Sequence, residues 1–174
     1  MELFTVNDFK IFDIPEFAER MAAILTRIRP KLASIGEDLA PGVSGLVDTP
    51  LYVHVAKHAR RTVNPPDDTW AALGPNARGY KKDVHFKVAV SRNCVRFLFE
   101  VGPEYYAKRD WAEGWHREFK DIAASLKGSK GLDWFKGEHD EEPAAHVSEL
   151  STADWKKLGD ELTRRRDGQL VFGV

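Results

Sequence analysis

His85-Phe86-Lys87-Val88-Ala89-Val90-Ser91-Arg92-Asn93-Cys94-Val95-Arg96-Phe97-Leu98-Phe99-Glu100-Val101 is the stretch that decides the fold. Phe86, Val88 and Val90 alternate with His85, Lys87 and Ala89. Val95, Phe97, Phe99 and Val101 alternate with Cys94, Arg96, Leu98 and Glu100. Successive strand side chains point to opposite faces, so each run is a half-buried strand. Ser91, Arg92 and Asn93 separate them, and the pattern predicts an antiparallel hairpin with one buried face.

Upstream, Leu51–Ala56 reads as a strand with Val53 and Val55 on one face and Tyr52 and His54 on the other. Lys57–Asp68 reads as a loop, and Thr69–Leu73 as a short strand. If these strands share a sheet, parity sets Val53, Val55, Phe86 and Val88 toward the core. The opposite, open face then carries His54, His85, Lys87 and Arg96, and a one-residue slip in register would undo this.

Further out the period becomes helical. Pro15 suits a first helical turn, followed by Phe17, Met21, Ile24, Leu25 and Ile28, then Leu32, Ile35 and Leu39. Pro30 should kink or divide this helix, and Gly36, Pro41, Gly42 and Gly45 should weaken its end. Trp111, Trp115, Phe119, Ile122 and Leu126 mark a second amphipathic helix, ended by Gly128 and Gly131. Ser151 and Asp154 have capping-box spacing ahead of Trp155, Leu158 and Leu162. Asp133–Lys136 and Gln169–Val174 read as strands. The expectation is an α+β fold, a mainly antiparallel sheet with helices packed on one face, forming a single domain over residues 1–174.

The 174 residues are 43% hydrophobic and 30% charged, a globular composition able to bury a core. Cys94 stands alone, which excludes an internal disulfide and a cysteine-based zinc cluster. No apolar run reaches the roughly 20 residues of a membrane span. Residues 1–13 lack the pattern of a signal peptide. These readings lead us to expect a cytoplasmic protein with no membrane partner; they leave the oligomeric state open.

Net charge is −1, so an electrostatic function must come from local segregation. Tyr52–Lys87 supplies it: Lys57, Arg60, Arg61, Arg78, Lys81, Lys82 and Lys87 stand against Asp67, Asp68 and Asp83, a local +4 that leaves −5 for the remainder. Arginine forks pair two oxygens of a phosphate, lysine adds a mobile charge, and aromatic faces stack on bases. The candidate ligand-binding residues are therefore His54, Lys57, His58, Arg60, Arg61, Trp70, Arg78, Tyr80, Lys81, Lys82 and His85. The plain alternative is a solvated surface in which Arg60 and Arg61 pair with Asp67 and Asp68.

Other constellations are weaker. His54 and His58 are four apart, but no H-E-x-x-H or comparable motif accompanies them, so no metal site is assigned. Gly45 directly after Ser44 breaks the nucleophile-elbow pattern. Cys94, in or beside the hairpin turn, reads as inert. No phosphate-binding glycine loop is present, and the sequence leaves any cofactor unknown. Trp111 and Trp115 read as core.

The run Val53-His54-Val55-Ala56-Lys57-His58-Ala59-Arg60-Arg61-Thr62-Val63-Asn64-Pro65-Pro66-Asp67-Asp68-Thr69-Trp70 resembles the hallmark segment of the YktB-like family. So do Arg78-Gly79-Tyr80-Lys81-Lys82, His85-Phe86, Arg29-Pro30-Lys31 and Gly36-Glu37-Asp38-Leu39-Ala40. The resemblance covers the N-terminal and central parts and carries nothing beyond Gly128. It implies an uncharacterised bacterial protein with an α+β fold, with Lys57–Lys82 on its functional face, and it transfers no activity. The expected function is a binding module for a phosphate-bearing ligand, nucleic acid or nucleotide. The rival is an enzyme acting on a small anionic or phosphorylated substrate, with His54, His58 or His85 as acid and base. A third reading is a protein-interaction module whose basic face meets an acidic partner.

Overall fold

The computed structural model describes residues 3–174. In chain order it comprises α1 (Val6–Phe9), a 3-10 turn (Lys10–Asp13), α2 (Phe17–Ala23), a π turn (Ile24–Ile28), α3 (Arg29–Val47), β1 (Tyr52–Val55), β2 (Asp68–Gly74), β3 (His85–Ser91) and β4 (Val95–Val101). Then follow α4 (Lys108–Leu126), β5 (Asp133–Phe135), β6 (Ala145–His146), a 3-10 turn (Val147–Glu149), α5 (Thr152–Arg164) and β7 (Leu170–Gly173). The strands form an antiparallel sheet in the order β1-β2-β3-β4-β7-β5-β6. The fold is α+β, as the hairpin and the helical periods predict. The chain divides into two compact units: residues up to Tyr80 with His85–Phe97, and Lys81–Val84 with Leu98–Val174.

In the first unit, Ile24, Ile28, Leu32 and Ile35 pack on Ala71, Val88 and Val90, with Val53, Val55 and Val95 partly buried beside them. The β1–β2 register pairs Val53 with Leu73 and His54 with Ala72. The β2–β3 register pairs Ala71 with Val88 and Ala72 with Lys87. His54, Ala72 and Lys87 therefore form one cross-strand row, and Trp70 and His85 share its face by the period of two. Gly36 lets α3 come close to β1: a Cβ there would lie 2.6 Å from Val53 Cγ1.

The N-terminal helix differs from expectation in two ways. Leu25 is 53% exposed instead of facing the core. The π turn widens the helix locally, so burial steps by four through Ile24, Ile28 and Leu32 and rotates Leu25 outward. Pro30 then falls in the first turn of α3, where its missing N–H costs nothing. The helix also runs past Pro41, Gly42 and Gly45 to Val47, where Asp48 adopts a left-handed conformation (φ 48°). Ser44 Oγ accepts from the Leu51 N–H at 3.0 Å, tying this end to the start of β1.

Two buried polar residues anchor the unit. Asp8, 1% exposed, accepts from the Thr5 N–H (2.7 Å), the Thr5 hydroxyl (2.8 Å) and Lys31 Nζ (2.9 Å). Arg20, 8% exposed, donates to the carbonyls of Ile14 (2.6 Å) and Pro66 (3.0 Å).

In the second unit, Trp115, Trp155, Leu158 and Leu162 pack with Val101, Leu170 and Phe172. Trp115, Trp155 and Phe172 stack mutually at 5.7–6.2 Å between ring centroids. Gly159 permits the close α4–α5 approach, since a Cβ there would lie 2.7 Å from Trp115 Cδ1. The Ser151–Asp154 capping box forms at the head of α5 as its spacing predicts.

Candidate functional site

The residues that converge lie on the face of β1–β3 turned away from α3. Tyr80 is at their centre. The chain leaving β2 folds back over that strand, and Gly74 makes room for it: a Cβ at Gly74 would lie 2.8 Å from the Tyr80 Cβ. Trp70 Nε1–H donates to the Tyr80 hydroxyl oxygen at 2.7 Å. The Tyr80 ring meets His85 edge-on at 4.8 Å and His54 at 5.6 Å. Lys87 Nζ sits 5.0 Å from the Trp70 ring centroid and 6.0 Å from that of Tyr80, within cation–π reach of both.

Two histidines are held from the flanking loops. His54 Nε2 donates to the Asn76 carbonyl at 2.9 Å, which places its proton on that nitrogen. His58 adopts a left-handed conformation (φ 49°), uncommon outside glycine. Its Nε2 lies 2.9 Å from the Thr69 hydroxyl, and its ring meets Trp70 edge-on at 5.4 Å. His58 also accepts from the Arg61 N–H at 2.9 Å, closing the turn that carries Arg60 and Arg61. Arg20, through Pro66, secures the other end of the same loop.

The shared face is as the sequence parity requires, but it is not open. His85, Lys87 and Arg96 are 2%, 4% and 2% exposed. Parity reports which side of a sheet a residue occupies and is blind to what a loop lays over it. Here Tyr80 covers His85 and Lys87, and Arg96 is drawn to Asp68, with Nη2 to Oδ2 at 3.1 Å.

Of the eleven candidates, His54, His58, Trp70, Tyr80 and His85 are brought together. Lys57, Arg60 and Arg61 are exposed on the loop before β2, and Arg78 on the chain after it. The two loops leave opposite ends of a seven-residue strand, about 20 Å apart at 3.3 Å per residue. Lys81 and Lys82 belong to the second unit, where Lys81 Nζ lies 3.5 Å from Glu104. The alternative pairing of Arg60 and Arg61 with Asp67 and Asp68 does not form among the described residues: Asp67 lies 3.5 Å from Arg20, and Asp68 faces Arg96. Residues outside the candidate set also build the site. Lys87 was legible from its parity with His85, whereas Thr69, Asn76 and Arg20 carry no sequence signal. Among the described residues, no group of three or more His, Cys, Asp or Glu could hold a metal ion, and no helix is long and apolar enough to cross a membrane.

Comparison with known proteins agrees with the resemblance read from the central segment. Residues 4–174 match a family described as a domain of unknown function, DUF1054. The chain is 33% identical to a UPF0637 protein of Bacillus licheniformis over 171 residues, spanning 98% of this chain and 80% of the relative. It is 57% identical to one of Oceanobacillus iheyensis over 122 residues, 70% of this chain and 60% of the relative. A Macrococcus caseolyticus UPF0637 protein is 34% identical over 171 residues, 98% of this chain and 82% of the relative. With the match running from the N-terminal helices through β7, the chain belongs to the DUF1054 (UPF0637) family, the YktB-like family of uncharacterised bacterial proteins.

Proposed function

We propose that the first unit binds a phosphate-bearing ligand, nucleic acid or nucleotide, with the Trp70–Tyr80–imidazole cluster as stacking platform and Lys57, Arg60 and Arg61 as phosphate contacts. The observation that carries this reading is a pair of exposed arginines that pair with neither nearby aspartate: Asp68 is buried against Arg96, and Asp67, its carboxylate in solvent, lies 3.5 Å from Arg20. They ride on a loop locked to the aromatic cluster through His58. A solvated surface needs no such construction, and a left-handed histidine costs about 1–2 kcal/mol over a right-handed one. Trp70, Tyr80, His54 and His58 are half-buried, so part of each ring is accessible to a base.

The exposure of the arginines favours binding over catalysis. Arg60, Arg61 and Arg78 all project from loops into solvent, where they are placed to meet a ligand's phosphates and not to hold developing charge in an enclosed site. The convergence of three histidines on Tyr80 and Trp70 keeps an enzyme as the second reading, and it requires turnover of the ligand.

The test is fluorescence anisotropy with labelled single-stranded RNA and DNA at two salt concentrations, beside an Arg60→Ala, Arg61→Ala double variant. Binding should fall with salt, and the variant should flatten the log–log salt slope by about 2, one for each lost phosphate contact. Competition with mononucleotides separates a nucleotide site from a strand site. Absence of binding to nucleic acid and nucleotides at low salt would overturn the proposal, and consumption of a bound nucleotide would transfer the site to the enzyme reading.

A further inference from the structure

The second unit carries a cavity of ≈ 400 Å³ along α4, independent of the site above. Its lining combines three aromatic rings, Tyr105, Trp111 and Trp115, with two carboxylates, Asp110 and Glu118. Among the described residues that line it, none is Lys or Arg. Trp111 and Trp115 stack at 5.6 Å with an interplanar angle of 23°. Trp115 is buried, while Trp111, whose ring also packs against Phe99 at 6.2 Å, and Tyr105 are half-buried and line the cavity. Asp110 and Glu118 are exposed, and among the described residues neither is in an ion pair. Gly114 forms part of the floor, where a Cβ would meet only Arg117 Nη2 at 3.7 Å.

An aromatic face attracts a cation through its quadrupole, and a nearby carboxylate supplies the opposite charge. A strongly hydrated ammonium gains little at an open site, because it must shed water. A methylated ammonium sheds less and presents apolar methyls to the rings. We propose that this groove binds a quaternary or methylated alkylammonium group, with Trp111 and Tyr105 against its methyls and Asp110 and Glu118 as counter-charges. The Tyr105 hydroxyl is held above its ordinary pKa by burial first, and then by Tyr106, Asp83 and Asp110. Arg117, near the open floor, is a built-in competitor.

The probe is choline chloride, titrated into the full chain at constant ionic strength and followed by the Trp111 indole N–H resonance, assigned with Trp111→Phe. The neutral control is 3,3-dimethylbutan-1-ol, which has the shape of choline without its charge. A saturable choline shift is expected, with the alcohol about five- to thirty-fold weaker. Asp110→Asn with Glu118→Gln should weaken choline without altering the alcohol. Arg117→Ala should tighten choline. Gly114→Leu should block both ligands, and as a better helix former it leaves α4 intact. Equal affinity for choline and the alcohol overturns the proposal in favour of a merely apolar groove. No choline shift, or one indifferent to loss of both carboxylates, overturns it outright.

Discussion

Asp8→Asn removes the acid from a cluster in which buried Lys31 meets Oδ2 at 2.9 Å and half-exposed Arg27 meets Oδ1 at 3.3 Å. The carboxylate is 1% exposed and its Oδ2 receives three hydrogen bonds, from the Thr5 N–H, the Thr5 hydroxyl and Lys31 Nζ. Lys31 is itself 9% exposed and also donates to the Leu3 carbonyl at 3.1 Å. Breaking a buried pair from one side costs about 3–5 kcal/mol. Because Lys31 retains the Leu3 carbonyl, the lower end applies, about 3 kcal/mol. For a chain of this length that corresponds to a fall in Tm of about 6–12 °C.

The pH dependence tests the cause. Burial works to raise the Asp8 pKa, but the hydrogen bonds from Lys31 and Thr5 outweigh it, and the net shift is below the ordinary 3.8. A carboxyl depressed on folding contributes stability that is complete above its unfolded pKa and is lost as pH falls through the folded value. Urea midpoints of wild type and Asp8→Asn should therefore differ at neutral pH and draw together as pH falls below about 4. Adding Lys31→Met should recover part of the loss, since no buried ammonium is then left without its carboxylate, and Arg27, half-exposed, remains solvated. A deficit that is the same at neutral and acidic pH would refute the electrostatic account and leave a loss of shape or capping in its place.

The same geometry yields other expectations. Gly74→Ala should destabilise by about 1–3 kcal/mol in chemical denaturation, because its Cβ would stand 2.8 Å from that of Tyr80, and should displace the ring from Trp70. Tyr80→Phe deletes the acceptor 2.7 Å from Trp70 Nε1; a loss of about 0.5–1.5 kcal/mol and a shifted Trp70 indole resonance are expected. His58→Gly should be more stable than His58→Ala by about 1 kcal/mol, since glycine tolerates the left-handed backbone (φ 49°), and equal stabilities would show that the conformation is not strained. His146 is raised above its ordinary 6.5 by its hydrogen bond to Asp133, then by the charges of Asp133 and Glu149. Its pair with Asp133 therefore contributes fully below about pH 6.5 and fades as pH rises through the folded value, and an NMR titration of His146 in Asp133→Asn should return it toward 6.5.

These sites differ in how far sequence could reach them. Register was legible in β1 and β3, where apolar alternation permits one arrangement that packs Val53, Val55 and Val88 together, but the single buried face expected of β4 fails, since Phe97 is 46% exposed and Arg96, Leu98 and Glu100 opposite it are buried. The capping box and the α5 core stripe were legible because both are local, within one turn or one helix face. Burial of His85 and Lys87 was not, because it depends on Tyr80 crossing β2, and that crossing depends on Gly74. Nothing in a period of two encodes a side chain arriving from the following loop. The rotation of Leu25 was hidden for a related reason: a helical wheel assumes a constant pitch, and the π turn at Ile24–Ile28 breaks it.

The covering of that face bears on what the protein can do. A bare row of His54, His85 and Lys87 would be a polar strip answering chiefly to charge. With Tyr80 laid across it, Lys87 meets two aromatic rings and His54 and His85 meet one, so these side chains stiffen a ring cluster instead of projecting into solvent. The mobile charge is displaced outward, to Arg60 and Arg61 on a loop that His58 and Arg20 hold in place. Stacking and charge recognition are thus assigned to separate elements, and they should separate in experiment. Loss of Arg60 and Arg61 should act through salt dependence, whereas Tyr80→Ala should weaken binding with the salt slope preserved, by about 1–3 kcal/mol if a base stacks there. A Tyr80→Ala variant that changed only the salt slope would mean that the ring cluster does no more than shape the loops.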